Sequence, residues 1–114
     1  GGGHAQVAVL KSLVMAPIDG LRVTLISRDV MTPYSGMLPG YLEGAYSAEE
    51  ISIDLSHLAR ACGARFIHGE VTAITPDDKT VTIAGRPAMA YDILSINTGS
   101  APDVTAIAGA EDHA

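Results

Sequence analysis

Apolar positions near the start of the chain predict a helix followed by a strand. The segment Val7–Met15 is apolar except for Lys11 and Ser12, so it predicts a largely buried helix. Pro17 limits this helix, because proline has no N–H to donate and restricts the residue before it. The β-rich run Leu21–Ile26 then predicts a strand.

The middle of the chain predicts an irregular stretch and a second helix. Ser27–Gly44 is rich in Pro, Gly and Met, and we interpret it as irregular. Ser47–Glu50 matches a capping box, which predicts a helix or helical turns after it. The best helix is Asp54–Ala61, closed by Gly63. Ala64–His68 then predicts a short strand.

The last third predicts a hairpin and a final strand. Glu70–Thr75 and Thr80–Ala84 are typical of two strands, and Pro76–Lys79 supplies a turn between them. Gly85–Pro87 predicts another turn. Tyr91–Asn97 predicts a buried strand. Helices and strands in this order favour an α/β fold.

Composition and charge exclude several classes of protein. The 114 residues are 47% hydrophobic, which fits one small domain with a real core. The formal net charge is −6, from 13 acidic and 7 basic residues. No basic run is visible, so we expect no binding to nucleic acid. No apolar stretch approaches the roughly 18 residues needed to span a bilayer. The single Cys62 allows no internal disulfide, which fits a reducing, cytoplasmic setting.

The glycine-rich opening Gly1–Ala5 carries the first candidate chemistry. Its pattern Gly1-x-Gly3 runs directly into the predicted helix. Glycines let the backbone approach a pyrophosphate closely, and the helix N-terminus offers free N–H groups. Gln6 stands where the full fingerprint has a small residue, so a glycine-rich linker or an expression scar stays an alternative. Because dinucleotide folds place a strand before this loop, we expect a truncated chain, with Gly109–Ala114 as a connecting loop.

Two segments after the predicted strand carry further candidate ligands. Dinucleotide folds often place an acid at the end of the second strand, where it holds a ribose hydroxyl. Here either Ser27 bonds the ribose, or Asp29 replaces it, or Asp29 is a solvated loop residue. The segment Thr32–Gly40 mixes an aromatic ring, a hydroxyl, glycines and a Met-Leu pair. We favour a role in lining a flat ring system over a surface turn, because this apolar content is high for a plain turn.

The order of these segments resembles that in the FAD-dependent pyridine nucleotide-disulfide oxidoreductase superfamily. Tyr91–Ser100 is the stronger motif and is similar to the family's Tyr-Asp-x-Leu-x-x-x-Thr-Gly signature. The chain looks closest to type II NADH dehydrogenase-like flavoproteins, in particular to the NADH dehydrogenase-like part that some bacteria carry fused to a selenide, water dikinase. The run Tyr34–Gly40 suggests that subgroup. The resemblance covers nearly the whole chain but only the first part of the family's usual length.

The resemblance implies a role for each matched position. The first glycines match pyrophosphate-binding positions, Tyr34–Leu38 would approach the flavin, and Val71 sits where the backbone meets the adenine. Ser27 stands where the ribose-binding acid usually is, and the Thr-Gly pair lies where the chain passes the FAD. His4 either faces the cofactor or is a surface residue at the helix start. The residues expected to contact FAD are Gly1, Gly3, His4, Ala5, Ser27, Arg28, Tyr34, Ser35, Gly36, Met37, Leu38, Val71, Thr98 and Gly99.

The implied fold is a partial Rossmann-like FAD-binding domain that lacks its first strand and contains an antiparallel hairpin insertion. Such a flavoprotein moves a hydride from NADH or NADPH to FAD and electrons onward to an acceptor such as a quinone. The cofactor performs the difficult chemistry, so we expect no catalytic side chain here. The resemblance leads us to expect that this chain is the N-terminal part of the FAD-binding domain and that the nicotinamide-binding domain, which normally follows, is absent from it. We expect no metal site and a cytoplasmic location, with the inner face of the membrane as an alternative. A dinucleotide-binding module without electron transfer, or a structural or interaction fragment, stays open.

Overall fold

The computed structural model describes residues 1–100 and 107–109, and it has a mixed α/β architecture. This confirms the predicted α/β class. The helices are α1 (His4–Met15), α2 (Leu38–Leu42) and α3 (Leu55–Ala61), with a 3-10 helix at Ser35–Met37. The strands are β1 (Thr24–Ser27), β2 (Met31–Pro33), β3 (Ser52–Asp54), β4 (Arg65–His68), β5 (Val71–Thr75), β6 (Thr80–Ile83) and β7 (Met89–Ala90).

The strands form three small sheets. β1 and β4 are parallel neighbours, with Leu25 opposite Phe66. β2 and β3 pair antiparallel and lie between β1 and β4 in sequence. β5, β6 and β7 form an antiparallel meander. Parallel strands need a long crossover connection, and here the connection from β1 to β4 contains α2 and α3.

The main core lies between the parallel strands and helices α1 and α3. Its buried members are Leu10, Leu25, Leu55, Ala59 and Ala64. Neighbouring residues of β4 face opposite ways, as strand geometry requires. Phe66 packs against this core, whereas Ile67 lines a cavity together with Ile83 of β6. The meander therefore covers the face of the parallel pair that the helices leave free.

Helix α3 follows its sequence prediction closely. Asp54 is the N-cap, and its Oδ1 accepts the backbone N–H of His57 (2.9 Å) and the hydroxyl of Ser56 (2.9 Å). Gly63 follows the helix with φ +70°, a left-handed conformation that glycine adopts because it has no Cβ. The local signals at both ends of α3 therefore had the expected effect.

The capping box at Ser47 and Glu50 forms, but a single helical turn follows it. The Glu50 N–H donates to Ser47 Oγ (3.2 Å), and the Ser47 N–H donates to Glu50 Oε2 (2.8 Å). The Ile51 N–H closes the turn on the Ser47 carbonyl (3.3 Å). The turn ends there because the next residues pair with β2 as strand β3.

The predicted strands mostly appear, with shifted ends. Leu21–Ile26 contributes β1, which begins only at Thr24, and Ala64–His68 contains β4. The predicted hairpin is β5 and β6. Sequence reasoning missed β7, in which Met89 pairs with Val81, because a two-residue strand carries almost no pattern.

Helix α1 contains the predicted segment but is not largely buried. It begins at His4, and its buried residues are Gln6 and Leu10. Val9 is 50% exposed and Met15 is 80% exposed. The prediction of a largely buried helix was wrong because α3 packs along one side of α1 only. The apolar residues on the other side of α1 are left in solvent.

The segment Tyr91–Asn97 is not the buried strand that its apolar residues predict. Ile93 is 89% exposed and Ile96 is 65% exposed. The segment forms no strand ladder, and its end is held by the Gly3 N–H, which donates to the Asn97 carbonyl (3.2 Å). An apolar run becomes a strand only beside another strand, and here the glycine loop is its neighbour.

The stretch Ser27–Gly44 is more regular than predicted, since it contains β2, the 3-10 helix and α2. Pro39 lies in the first turn of α2, where its missing N–H would have no helical partner anyway. Of the loop predicted at Gly109–Ala114, all but Gly109 lies outside the described residues. Within the described part, no helix is both long and apolar enough to cross a bilayer.

Candidate functional site

The first turn of α1 is open to a ligand from outside the helix. Gly3 is the N-cap (φ −64°, ψ 160°), no side chain caps this end, and the first turn holds no acidic residue. His4 and Ala5, the first two helical residues, are exposed. A helix N-terminus of this kind offers unpaired N–H groups and the positive end of the helix dipole, which together favour an anion.

The glycine loop packs against the Asn-Thr-Gly segment near residue 98. Gly3 donates its N–H to the Asn97 carbonyl (3.2 Å), and Gly99 donates its N–H to Asn97 Oδ1 (3.3 Å). A Cβ at Gly3 would overlap with Asn97 Oδ1, and a Cβ at Gly1 would overlap with the backbone of Asn97 and Thr98. Because Gly1 and Gly3 have no side chains, the backbone around Asn97 and Thr98 can approach them closely. The structure thus brings together two pairs of predicted cofactor residues, Gly1 with Gly3 and Thr98 with Gly99.

The glycine loop also lies at the carboxyl end of β1. A Cβ at Gly2 would come within 3.1 Å of Ser27 Oγ. Ser27 is the last residue of β1 and is only 7% exposed. The N-terminus of α1 and the end of β1 therefore meet at one edge, which is where open α/β sheets bind ligands. Ser27 lies at this edge but presents little surface of its own.

Gln6, which departs from the glycine fingerprint, has a structural role that sequence reasoning missed. It is 8% exposed, and its Nε2 donates to Ser95 Oγ (2.8 Å). This bond ties α1 to the segment that leads into Asn97, a second residue that was missed. One signal was present in the sequence: Gln6 lies four positions before Leu10, on the side of α1 that faces the core.

Two hydrogen bonds join the carboxyl end of β1 to the residues just before β5. The Ser27 carbonyl accepts the Gly69 N–H (2.9 Å), and the Arg28 carbonyl lies 2.8 Å from His68 Nε2, which donates to it. Arg28 Nε lies 3.6 Å from Asp29 Oδ2, with these side chains 74% and 66% exposed. Water screens such an exposed ion pair so that it holds both groups weakly. Both side chains are therefore accessible to a ligand.

Val71 begins β5 close to this edge. It follows Gly69 by two positions, is 39% exposed, and precedes a register shift between Val71 and Ala73. The bond from Gly69 to the end of β1 brings the entry to β5 near the candidate site. The adenine contact of Val71 stays a prediction.

The segment predicted to approach the flavin forms an exposed surface. Tyr34 donates its N–H to the Ile51 carbonyl (2.7 Å), Ser35–Met37 form the 3-10 helix, and Leu38 begins α2. The side chains of Tyr34 and Leu38 are 47% and 45% exposed. A Cβ at Gly36 would lie 3.0 Å from the Tyr34 ring, so glycine allows the ring to approach the backbone.

His4 joins this segment to the glycine loop. Its Nε2 lies 3.2 Å from the Pro33 carbonyl oxygen. Its ring centroid lies 5.4 Å from that of Tyr34, with the two planes at 55°. His4 is exposed at the helix start, with its side-chain contacts directed to the neighbouring loop. Its contact with a cofactor stays a prediction.

Other polar features belong to local turns or to a separate cavity. Backbone N–H donors within the two caps lower the pKa of Glu50 and of Asp54, so these carboxylates serve the local turns. A cavity of about 250 Å³ lies between β4 and the meander and includes Arg65 and Arg86 in its lining. The described residues contain no group of three or more His, Cys, Asp or Glu side chains placed to hold a metal ion.

Comparison with known proteins adds two similarities, although no family model matches the chain. The chain is 28% identical over 111 residues to the NADH-dependent phenylglyoxylate dehydrogenase subunit epsilon of Aromatoleum evansii, across 96% of this chain and 26% of that protein. The fold is similar to that of the sulfide:quinone oxidoreductase of the hyperthermophilic bacterium Aquifex aeolicus. The TM-score is 0.77, with 30% identity, across 98% of this chain and 26% of that one.

The chain therefore spans about a quarter of the length of either protein. Both are redox enzymes by name. Together, the similarity in sequence and the similarity in structure support a place for the chain in the FAD-dependent pyridine nucleotide-disulfide oxidoreductase superfamily.

Proposed function

We propose that the chain forms the first part of a Rossmann-like FAD-binding domain in a flavoprotein oxidoreductase. One observation carries this proposal: the uncapped N-terminus of α1 lies at the carboxyl end of β1, with both glycine segments beside it. When bound, FAD supplies the hydride and electron transfer. The residues of this chain bind and orient it.

The residues at this edge fit the phosphate and adenosine portions of FAD. The N–H groups of His4 and Ala5 face a pyrophosphate, and no carboxylate in the first turn of α1 opposes it. At the end of β1, the ribose hydroxyls would meet either the mostly buried Ser27 or the exposed Asp29. Arg28 adds an exposed cation beyond β1, and the backbone at Val71 borders the adenine.

The segment Tyr34–Leu38 fits the flavin ring. Tyr34 and Leu38 present exposed apolar surface next to the glycine loop, and a flat ring system binds such surface by excluding water from it. Thr98 and Gly99, which lie beside Gly3 next to Asn97, would also contact the cofactor.

The donor and acceptor are proposed from the similar proteins. Their names include NADH and a quinone, and we propose NADH, with NADPH as the alternative, as hydride donor and a quinone as electron acceptor. The run Tyr34–Gly40 favours the type II NADH dehydrogenase-like subgroup, including the part fused to selenide, water dikinase. The lone Cys62 supports a cytoplasmic location.

A charge placed in the first turn of α1 tests the phosphate contact. In a protein that extends this chain to the length of its relatives, we expect co-purified FAD, seen by its absorption and identified after denaturing release. In Ala5→Asp, the new carboxylate interacts favourably with the helix dipole but repels a pyrophosphate. We expect FAD affinity to fall at least roughly tenfold, about 1.4 kcal/mol, with no loss of thermal stability.

Ala5→Asn is the matched control, because it has nearly the same shape and no charge; its FAD affinity should stay close to that of the wild type. Equal affinities of the Asp and Asn variants would contradict a phosphate site at α1. Absence of flavin from the wild-type protein would contradict the proposal as a whole. Bound FAD without reduction by NADH or NADPH would indicate a binding module without electron transfer.

A further inference from the structure

His4 lies where the two loops of the proposed cofactor site meet. It is the first residue of α1 and directly follows the N-cap Gly3. Its Nε2 lies 3.2 Å from the carbonyl oxygen of Pro33, the last residue of β2, across 29 positions of the chain. This contact joins the phosphate-binding turn to the start of the segment Tyr34–Leu38.

The His4 side chain makes two contacts, one with a backbone carbonyl and one with an aromatic ring. The Pro33 carbonyl can only accept a hydrogen bond, so Nε2 carries the proton and donates it. The His4 ring is tilted against that of Tyr34, with centroids 5.4 Å apart and an interplanar angle of 55°, a distance within the range of favourable aromatic pairs. One side chain therefore contacts the main chain of one residue and the ring of the next.

Tyr34 is about half exposed, and His4 is its aromatic neighbour at the start of α1. Its backbone is held by the bond to the Ile51 carbonyl (2.7 Å), and one part of the ring lies against the backbone of Gly36. The ring is still 47% exposed. Without His4, the phosphate-binding turn would lose this direct contact with the ring.

We propose that His4 is a positioning residue that fixes the flavin-facing segment Tyr34–Leu38 relative to the phosphate-binding turn before the cofactor binds. This inference rests on the proposed function. A site whose two halves are already aligned loses less conformational entropy when a ligand binds across both of them. His4 therefore acts on FAD through Tyr34 and Pro33 as well as through its own backbone N–H.

Substitutions at His4 separate its two contacts. His4→Ala removes both, His4→Phe keeps the aromatic contact without a donor, and His4→Gln keeps an N–H donor without the ring. In the extended protein, His4→Ala should weaken FAD binding by about 3- to 10-fold, the range of one modest hydrogen bond. The other two variants should lie between it and the wild type. His57→Ala, at an exposed position on α3, is the control and should leave the affinity unchanged.

Amide hydrogen exchange of the 114-residue chain without FAD provides a second measurement. His4→Ala should speed exchange at residues 34–38 and leave α3 as in the wild type. This result depends on the contact alone and needs no cofactor.

Unchanged exchange at residues 34–38 would overturn His4 as a restraint on the segment. Faster exchange combined with wild-type FAD affinity would overturn its positioning role. A wild-type protein that binds no FAD is a different outcome, seen before any variant is compared; there the proposed function fails, and the role of His4 falls with it.

Discussion

Among single residues, Leu55 connects the core to the candidate site. It is fully buried at the start of α3, and a Cβ at Gly2 would overlap with its Cδ1. The glycine loop therefore rests directly on a core side chain. The position of the glycine loop depends on how well this side chain fills its space.

Shortening Leu55 should damage both stability and binding. Leu55→Ala removes buried methyl groups and leaves a cavity, so we expect a loss of about 2–5 kcal/mol in the free energy of unfolding, measured by urea denaturation. Under conditions where the variant is still folded, FAD affinity should also fall. Leu42→Ala is the control, because Leu42 is 76% exposed; its stability should change by less than about 0.5 kcal/mol. A similar loss in both variants would contradict the role assigned to Leu55.

The close backbone approach at Gly1 and Gly3 was predictable from sequence, because the glycine motif itself requires it. The structure shows neighbouring chain at both positions where a side chain would stand, and their cofactor role stays a prediction. Gln6 and Asn97 were missed because their roles depend on contacts with residues some ninety positions away. A local pattern contains no information about such partners.

At the scale of elements, α3 and its N-cap were predicted well because both depend on neighbouring residues. Asp54 accepts two hydrogen bonds from the first turn, and Gly63 ends the helix. The segment Tyr91–Asn97 and the far side of α1 were predicted poorly, because burial and strand formation depend on which other elements lie beside them. The same apolar residues are compatible with either a buried strand or an exposed segment.

Asp54, the N-cap of α3, should make the stability of the protein depend on pH in the acid range. Its hydrogen bonds, chiefly the one from the His57 N–H, lower the pKa of Asp54 below the usual 3.8. The unfolded chain then binds the proton more readily, so this contribution to stability is present above about pH 3.8 and is lost as the pH falls through the lower, folded-state pKa.

Asp54→Asn keeps the cap without the titration. We expect the urea midpoint of the wild type to fall between pH 5 and pH 3 by more than that of Asp54→Asn. Asp54→Ala should already be less stable than both at pH 7. Parallel pH profiles for the wild type and Asp54→Asn would contradict this account of the cap.

At the scale of the whole molecule, apolar surface remains exposed along α1 and in the segment that leads to the glycine loop. Val9 and Met15 on α1 and Ile93 and Ile96 near the glycine loop are all exposed by half or more. Surface of this kind commonly marks a place where another part of a protein packs. The edge that we propose for FAD is thus only lightly supported by the 114 residues themselves.

We therefore expect the 114-residue chain alone to bind FAD weakly or not at all, and a protein extended to the length of its relatives to retain it. Equilibrium dialysis of both proteins with FAD measures the difference. Ala5→Asp should reduce binding in the extended protein and serves as the control for a specific site. Stoichiometric FAD retained by the 114-residue chain would contradict this prediction.

The hydrogen bond from Gln6 to Ser95 spans 89 positions of the chain, and this separation has a consequence for folding. The entropy lost on closing a loop grows as the logarithm of its length, about 4 kcal/mol for a loop of this size. Hairpins and helices close far smaller loops and form within microseconds. The β5–β6 hairpin and α3 should therefore form early, whereas the glycine loop meets its Asn-Thr-Gly partner late. A newly made chain would acquire its secondary structure before it acquires the edge that we propose for FAD.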